Sequence, residues 1–333
     1  MSKMNREFSL EIARITEEAA LASARWWGKG DKIAADGAAT EAMRAMFDTV
    51  HVQGTVVIGE GEMDEAPMLY IGEKVGCWDE DDYPVDIAVD PLEGTNLVAK
   101  GMPGAITTLA MAPKGTLLYA PDMYMDKIAA GPKCKGKVHL DASVTDNIKA
   151  CAEALDKKIS DITVVVMDRE RHKKIIKEIR ECGARIKLIS DGDVSPAVSA
   201  GFPGSGIDMM IGIGGAPEGV LAAAALKAIG GEFQGRLYPM NDKEKDRATK
   251  MLGGDPFRLL TIDDIIKTDD VMFAATGVTD GELLSGVRFE GNNIAITKTI
   301  ILRGSTGTVR FIEAEHRLDL KSDKIKQIIM QEK

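Results

Sequence analysis

The densest chemistry in this chain is carried by carboxylates. Residues 59–65 read Gly-Glu-Gly-Glu-Met-Asp-Glu, so Glu60, Glu62, Asp64 and Glu65 place four acids within six positions. Like charges this crowded repel one another and take up protons unless a cation shares them. Hard divalent cations such as Mg²⁺ and Mn²⁺ choose oxygen donors of this kind. The glycines on either side of Glu60 suggest a backbone bend that aims its side chain. An acidic run in isolation also reads as a solvated loop.

A second acidic motif, Asp-Pro-Leu-Glu-Gly-Thr at residues 90–95, is more informative. Asp90 closes an apolar run, Pro91 stiffens the exit, and Glu93 follows three positions later, so both acids can face one point across a turn. Gly94 lets the backbone approach a ligand, and Thr95 offers a hydroxyl and an amide to a phosphate. The competing reading is a type I turn with Asp90 as its cap. Asp36 falls in a helical segment and alone reads as a surface acid. Glu218 follows Gly214-Gly-Ala-Pro217 at the start of a helical pattern, where an acid complements the helix dipole. That structural role suffices for it, and its candidacy as a metal ligand rests on the company of the other acids.

Other catalytic patterns fail. Gly212-x-Gly214-x-x-Pro217 breaks the dinucleotide fingerprint at its third glycine, and neither GxxxxGK[ST] nor GxSxG occurs. His51, His139, His172 and His316 are scattered without metal-ligand spacing, and His172 reads as a capping or solvated residue. The cysteines, at 77, 134, 151 and 182, form no CxxC and read as reduced thiols of a cytoplasmic protein. Carboxylate-bound metal is the chemistry left with dense support.

Elements of two kinds must position these residues. Residues 8–27 and 32–50 have helical spacing, with Gly28 and Gly30 ending the first helix. Residues 55–58 and 85–89 are β-branched runs that stop at Gly59 and at Asp90-Pro91. Residues 105–112 and 116–120 flank Pro-Lys-Gly and predict a hairpin. From residue 162 strands alternate with helices: strand runs at 162–167, 186–189 and 207–213, helical runs at 169–182, after Asp193, and at 219–229. That alternation predicts βαβ layering. Residues 241–250 read as an exposed helix, and residues 271–311 return to strand-like runs. The coarse division is two closely packed domains, 1–160 and 161–333.

Composition narrows the partners. Of 333 residues, 42 are Lys or Arg and 52 are Asp or Glu, a net charge of −10 that disfavours nucleic acid. No segment approaches the roughly 18 uncharged apolar residues of a membrane span, and residues 1–21 lack the apolar block of a signal peptide. The 34 glycines, about a tenth of the chain, exceed the usual share of roughly 7%.

At the acidic and glycine-rich motifs the chain resembles the class II fructose-1,6-bisphosphatases of bacteria, within the lithium-sensitive, metal-dependent phosphatases that include inositol monophosphatase. The resemblance rests on GDKIAADGAAT (30–40), GTVVIGEGEMDEAPMLYIGEKVG (54–76), DPLEGT (90–95), ISDGDV (189–194) and GIGGAPEGVLAAAALK (212–227). It extends from about residue 5 to about residue 325. DPLEGT points only to the superfamily, whereas the long GEGEMDEAPMLYIGE block and GGAPEGV are specific to the family.

The resemblance implies a layered α/β/α/β/α sugar-phosphatase fold of the inositol monophosphatase kind. It implies Mg²⁺ or Mn²⁺ held by Asp36, Glu60, Asp90, Glu93 and Glu218, with Thr95 acting on the attacking water. Sugar-phosphate contacts are implied at Glu93, Gly94, Thr95, Tyr124, Arg169, Glu170, Arg171, Asp191, Gly192, Asp193 and Gly215. Where the family often has Lys-Pro-Arg-His, this chain has Arg169-Glu170-Arg171-His172, which keeps the first charge and adds an acid. The implied reaction is hydrolysis of the C1 phosphate of fructose-1,6-bisphosphate by a homo-oligomer, a dimer or tetramer. Alternatives are sedoheptulose-1,7-bisphosphate, an inositol or nucleotide phosphate, or a metabolite-binding module without catalysis.

Overall fold

The protein is described by a computed structural model covering residues 4–59, 69–120 and 122–330. In chain order the strands are β1 (Val52–Ile58), β2 (Lys74–Val75), β3 (Tyr83–Glu93), β4 (Ile106–Pro113), β5 (Tyr124–Ala130), β6 (Thr163–Met167), β7 (Arg185–Ile189), β8 (Met209–Gly215), β9 (Glu232–Tyr238), β10 (Leu260–Thr261), β11 (Met272–Gly277), β12 (Arg288–Gly291), β13 (Ile294–Arg303) and β14 (Thr308–Arg317). The α-helices are α1 (Phe8–Ala24), α2 (Lys32–Phe47), α3 (Thr95–Ala99), α4 (Val144–Leu155), α5 (Lys173–Cys182), α6 (Val194–Ser199), α7 (Ala216–Ile229), α8 (Asp242–Leu252), α9 (Ile262–Ile265) and α10 (Asp323–Ile329). Among the described residues no helix is long and apolar enough to cross a membrane.

Two compact units account for the chain. One is Met1–Leu117 with Asp270–Lys333, the other Leu118–Asp269. The first holds a mixed sheet of eight strands in the order β12-β13-β11-β4-β3-β1-β2, with β14 paired to β13. Among the described residues β1 and β3 run parallel there and the other pairs are antiparallel. The second holds six strands in the order β10-β9-β5-β8-β6-β7, with β6 parallel to both neighbours.

In the first unit α1 is sunk in the core, Ile12, Ile15, Ala19 and Leu21 being fully buried. It packs on α2 and across β4, β11 and β13. The helix α2 starts where the Asp31 carboxylate accepts the Ala34 N–H at 3.0 Å. It then lies against α1, α3 and β3, which ties the segment bearing Asp36 to the elements that follow Asp90. Phe47, Met43, Val56, Ile87, Leu109 and Met272 lie in the cluster that closes this layer.

The predicted hairpin forms only on its first side. After β4 the chain turns at Lys114-Gly115, and residues 116–120 form no strand beyond a single bridge at Leu117. The cause is Asp86, whose Oδ2 accepts the backbone N–H groups of Gly115, Thr116 and Leu117 at 2.7, 2.9 and 3.2 Å. Three consecutive donors given to one carboxylate are unavailable to a ladder.

The second unit is layered on both faces of its sheet. Ile128 and Ala130 of β5 join the cluster formed with α4 and α5, including Ile148, Cys151 and Ile179. The alternate residues Met125 and Lys127 face Gly219 of α7 on the opposite side, as the two-residue period of a strand requires. The βαβ alternation expected after residue 162 is present as β6–α5–β7, parallel in register from Thr163 opposite Arg185 to Met167 opposite Ile189.

Candidate active site

In the first unit the acidic motif sits on a β-bulge. Asp90 lies opposite Thr108 of β4 and Glu93 opposite Ile106, so three steps along β3 match two along β4. In a regular strand residues three apart point to opposite faces. The extra residue returns Glu93 to the side of Asp90, and the two offer carboxylate oxygens within 4.8 Å of one another. Pro91, which has no N–H to give a ladder, occupies the bulge. The Leu92 N–H donates to Asp90 Oδ1 at 3.0 Å and fixes that carboxylate. The strand therefore runs on through the motif, where a turn beginning at Asp90 was expected.

Gly94 follows with φ +91°, a left-handed conformation that glycine adopts freely. Thr95 then opens α3 half-buried, two positions after Glu93. Asp36, half-buried on α2, belongs to the same unit. Glu60, with its neighbours to residue 68, lies outside the described residues. An exposed grouping elsewhere in this unit joins His51 to Asp79, Nδ1 to Oδ2 at 3.1 Å, with Asp82 adjacent.

In the second unit the remaining candidates line one edge of the sheet. The parallel strands β6, β7 and β8 deliver residues 169–172, 191–193 and 215–218 at their C-terminal ends, where open α/β sheets carry ligands. Because β5 is antiparallel to β8, its first residue, Tyr124, lies opposite Gly215 on one side and Tyr238 of β9 on the other. Tyr238 is an exposed aromatic at this edge for which the sequence gives no signal.

The basic stretch is fixed by backbone carbonyls. Arg169 donates to Ser190 O at 2.7 Å, and Arg171 donates twice to Ile213 O while its guanidinium lies 4.8 Å from the Tyr124 ring centroid. Glu170, the added acid, is exposed and paired with Lys173 at 2.6 Å. His172 is buried rather than solvated. Ile213 N–H donates to its Nε2 at 2.8 Å, which leaves Nδ1 as the protonated nitrogen donating to Met167 O at 2.8 Å. Burial holds its pKa below the usual imidazole value. The neutral ring thus stitches β6 to β8.

Gly192, at φ +75°, makes the turn that separates Asp191 from Asp193. Asp193 is buried and receives the ammonium of Lys127, Nζ to Oδ2 at 2.8 Å. Lys127 is itself fully buried and also donates to Gly215 O at 2.8 Å. Glu218 stands in the first turn of α7, and its Oε2 is buried with no hydrogen-bond partner among the described residues. Burial pushes its carboxyl pKa up, Lys127 pulls it down, and Asp193 pushes it up again. An unpartnered carboxylate oxygen in such surroundings is a donor set for a hard cation, as is the Asp90–Glu93 pair.

The model of the family described as bacterial fructose-1,6-bisphosphatase, glpX-encoded, matches residues 6–316. The D-fructose 1,6-bisphosphatase class 2/sedoheptulose 1,7-bisphosphatase of Synechococcus sp. (strain JA-2-3B'a(2-13)) is 49% identical, across 95% of this chain and 97% of its own. The fructose-1,6-bisphosphatase 1 class 2 of Escherichia coli (strain K12) is 44% identical, across 98% of this chain and 100% of its own. A protein of Crocosphaera subtropica with the same double name as the first is 46% identical over 94% of this chain.

Proposed function

Since the chain belongs to the bacterial fructose-1,6-bisphosphatase family, we propose the reaction in residue terms: metal-dependent hydrolysis of the C1 phosphate of fructose-1,6-bisphosphate, giving fructose-6-phosphate and phosphate. The enzyme is a phosphatase. The observation that carries the chemistry is the bulge that turns Asp90 and Glu93 to one side immediately before Thr95.

Asp36, Glu60, Asp90, Glu93 and Glu218 would hold Mg²⁺ or Mn²⁺. When bound, such a cation neutralises phosphate charge and lowers the pKa of a water. Thr95 would orient the attacking water in line with phosphorus, its hydroxyl relying on a neighbouring carboxylate because alone it is a poor base near neutral pH. Arg169 and Arg171 grip the distal phosphate through charge-assisted hydrogen bonds, and their carbonyl contacts support this by fixing both guanidinium groups at the sheet edge. Asp191 and Asp193 take sugar hydroxyls across Gly192. Gly94 and Gly215 bring backbone close to the substrate, Tyr124 lies along it, and Glu170 borders the distal phosphate. The reading includes the lithium-sensitive phosphatase superfamily, a cytoplasmic homo-oligomer, dimer or tetramer, and cysteines that stay reduced; all four are free thiols.

Sedoheptulose-1,7-bisphosphate is the second substrate to test, because two of the relatives carry it in their names. The test is phosphate release from both bisphosphates, an inositol phosphate and a nucleotide phosphate, with Mg²⁺, with Mn²⁺ and with chelator. Fructose-1,6-bisphosphate should turn over fastest and only with metal. Tight sugar-phosphate binding without phosphate release would instead make the protein a binding module.

A further inference from the structure

The mechanism above leaves one expensive group unused. Lys127 is the only lysine among the fully buried large side chains of the described residues, and an ammonium removed from water is tolerated only when it is paired and hydrogen-bonded. Its donors go to both oxygens of Asp193, at 3.0 and 2.8 Å, and to the Gly215 carbonyl at 2.8 Å. One side chain from β5 thereby ties the turn after β7 to the end of β8.

The surroundings are cut to fit this arrangement. A Cβ on Gly214 would stand 2.0 Å from Asp193 Oδ2 and 3.0 Å from Lys127 Nζ. A Cβ on Gly215 would stand 1.8 Å from Glu218 Oε2. Gly219 gives Lys127 its passage across α7, with Cδ 3.7 Å from where a Cβ would be. Glycines at all three positions leave room for the two carboxylates and the ammonium.

Resting on the fructose-1,6-bisphosphatase reading, we propose that Lys127 is a positioning residue for substrate. It holds the Asp193 carboxylate and the Gly215 carbonyl in the orientation that receives the sugar, and it touches no reacting atom. A lysine that merely filled the core would leave substrate affinity untouched. One that acts through Asp193 sets KM and leaves the chemical step alone.

Steady-state kinetics at saturating Mn²⁺ on Lys127→Met, Asp193→Asn and the double variant test this. Lys127→Met should raise KM for fructose-1,6-bisphosphate by about tenfold or more, as loss of charge-assisted positioning implies. Its kcat, read at Mn²⁺ re-saturated for each variant because the Lys127 charge also acts on Glu218, should stay within about threefold. In the Asp193→Asn background the same change should add less than about twofold, because both act through one carboxylate. Lys127→Gln, which keeps an N–H donor, should recover part of the KM. If Lys127→Met does not fold, Lys127→Gln takes its place: a raised KM that the Asp193→Asn background absorbs supports the proposal, and an unchanged KM overturns it. Multiplicative KM effects, or an unchanged KM in Lys127→Met, overturn the proposal. A wild-type enzyme that releases no phosphate from fructose-1,6-bisphosphate would instead overturn the substrate reading.

Discussion

Replacing Gly215 with alanine separates the role of Glu218 from the stability of the fold. Gly215 has φ −69° and ψ 145°, extended backbone that alanine adopts without strain. The three atoms nearest the new Cβ would all belong to the Glu218 carboxylate, Oε2 at 1.8 Å, Cδ at 2.6 Å and Oε1 at 2.9 Å. Ordinary contact begins near 3.4 Å, so Oε2 must retreat by about 1.6 Å. A carboxylate at the end of a flexible side chain can do so by changing rotamer, at a cost of about 0.5–1.5 kcal/mol if it is left off its preferred wells. Alanine at the N-cap of α7 costs about 0.5–1 kcal/mol relative to glycine. The stiffer unfolded chain returns about 0.4–1 kcal/mol. The net cost is about 0–2 kcal/mol, so Tm should fall by no more than about 3 °C in a chain of this length.

A metal site is far less forgiving, since ligand distances hold within about 0.2 Å. If Glu218 is a ligand, Gly215→Ala should raise the Mn²⁺ concentration for half-maximal activity by at least about tenfold. Electron paramagnetic resonance of free Mn²⁺, titrated without substrate, should show the same loss. Gly254→Ala, at a glycine with open space where a Cβ would be, is the control. A Gly215→Ala enzyme that folds and titrates Mn²⁺ as the wild type does would remove Glu218 from the ligand set.

Two further predictions follow from single residues. Thr95→Ala should lower kcat by about a hundredfold or more while KM changes by less than about threefold; comparable turnover would take Thr95 out of the mechanism. Glu17, buried in α1 and accepting from Thr299 at 3.3 Å, has its carboxyl pKa pushed up to about 7, chiefly by burial. Its contribution to stability is present below the ordinary value of 4.5 and is lost as pH rises through 7. Glu17→Gln should therefore raise Tm more at pH 8 than at pH 5, and an equal shift at both would refute the assignment.

What the sequence disclosed depended on whether a residue's role is local. The helices at 8–24, 32–47, 216–229 and 242–252 were legible because their residue patterns are local, and Asp31 and Asn241 cap the second and the fourth. The strands β5 and β9 were not, since Tyr-Met-Asp-Lys-Ile-Ala-Ala and Glu-Phe-Gln-Gly-Arg-Leu-Tyr interrupt apolar runs with charge and glycine. Those interruptions have causes in the fold: Lys127 faces Asp193, and a Cβ on Gly235 would stand 2.5 Å from Met125 Sδ. The helix α4 did carry a signal, Ser143-Val-Thr-Asp146, where Ser143 accepts the Asp146 N–H at 3.0 Å. The return of the chain to the first unit after residue 269 has no local mark at all, because sheet membership is decided by partners distant in sequence. At the candidate site the acids announced themselves by crowding. The lysine that orients Asp193 stood alone in a strand and became visible only through its burial.

The net charge of −10 can be reconciled with an anionic substrate by looking at where the acids are. An excess of carboxylates spread over a surface would repel a bisphosphate at long range, and salt would screen most of that repulsion beyond about 8–10 Å. At contact distance the balance is set by the nearest groups. At the edge of the second sheet these include Arg169, Arg171 and the Lys127 ammonium, which offsets Asp193 outright. Glu218 stands there too, its Oε2 buried with no hydrogen-bond partner among the described residues. In the first unit the bulge leaves Asp90 and Glu93 side by side. Acids held in this way are costly until a divalent cation reverses their local sign, and the same cation is what a phosphate needs in order to approach. Whole-molecule charge therefore predicts avoidance of nucleic acid and says nothing against a small phosphate ester.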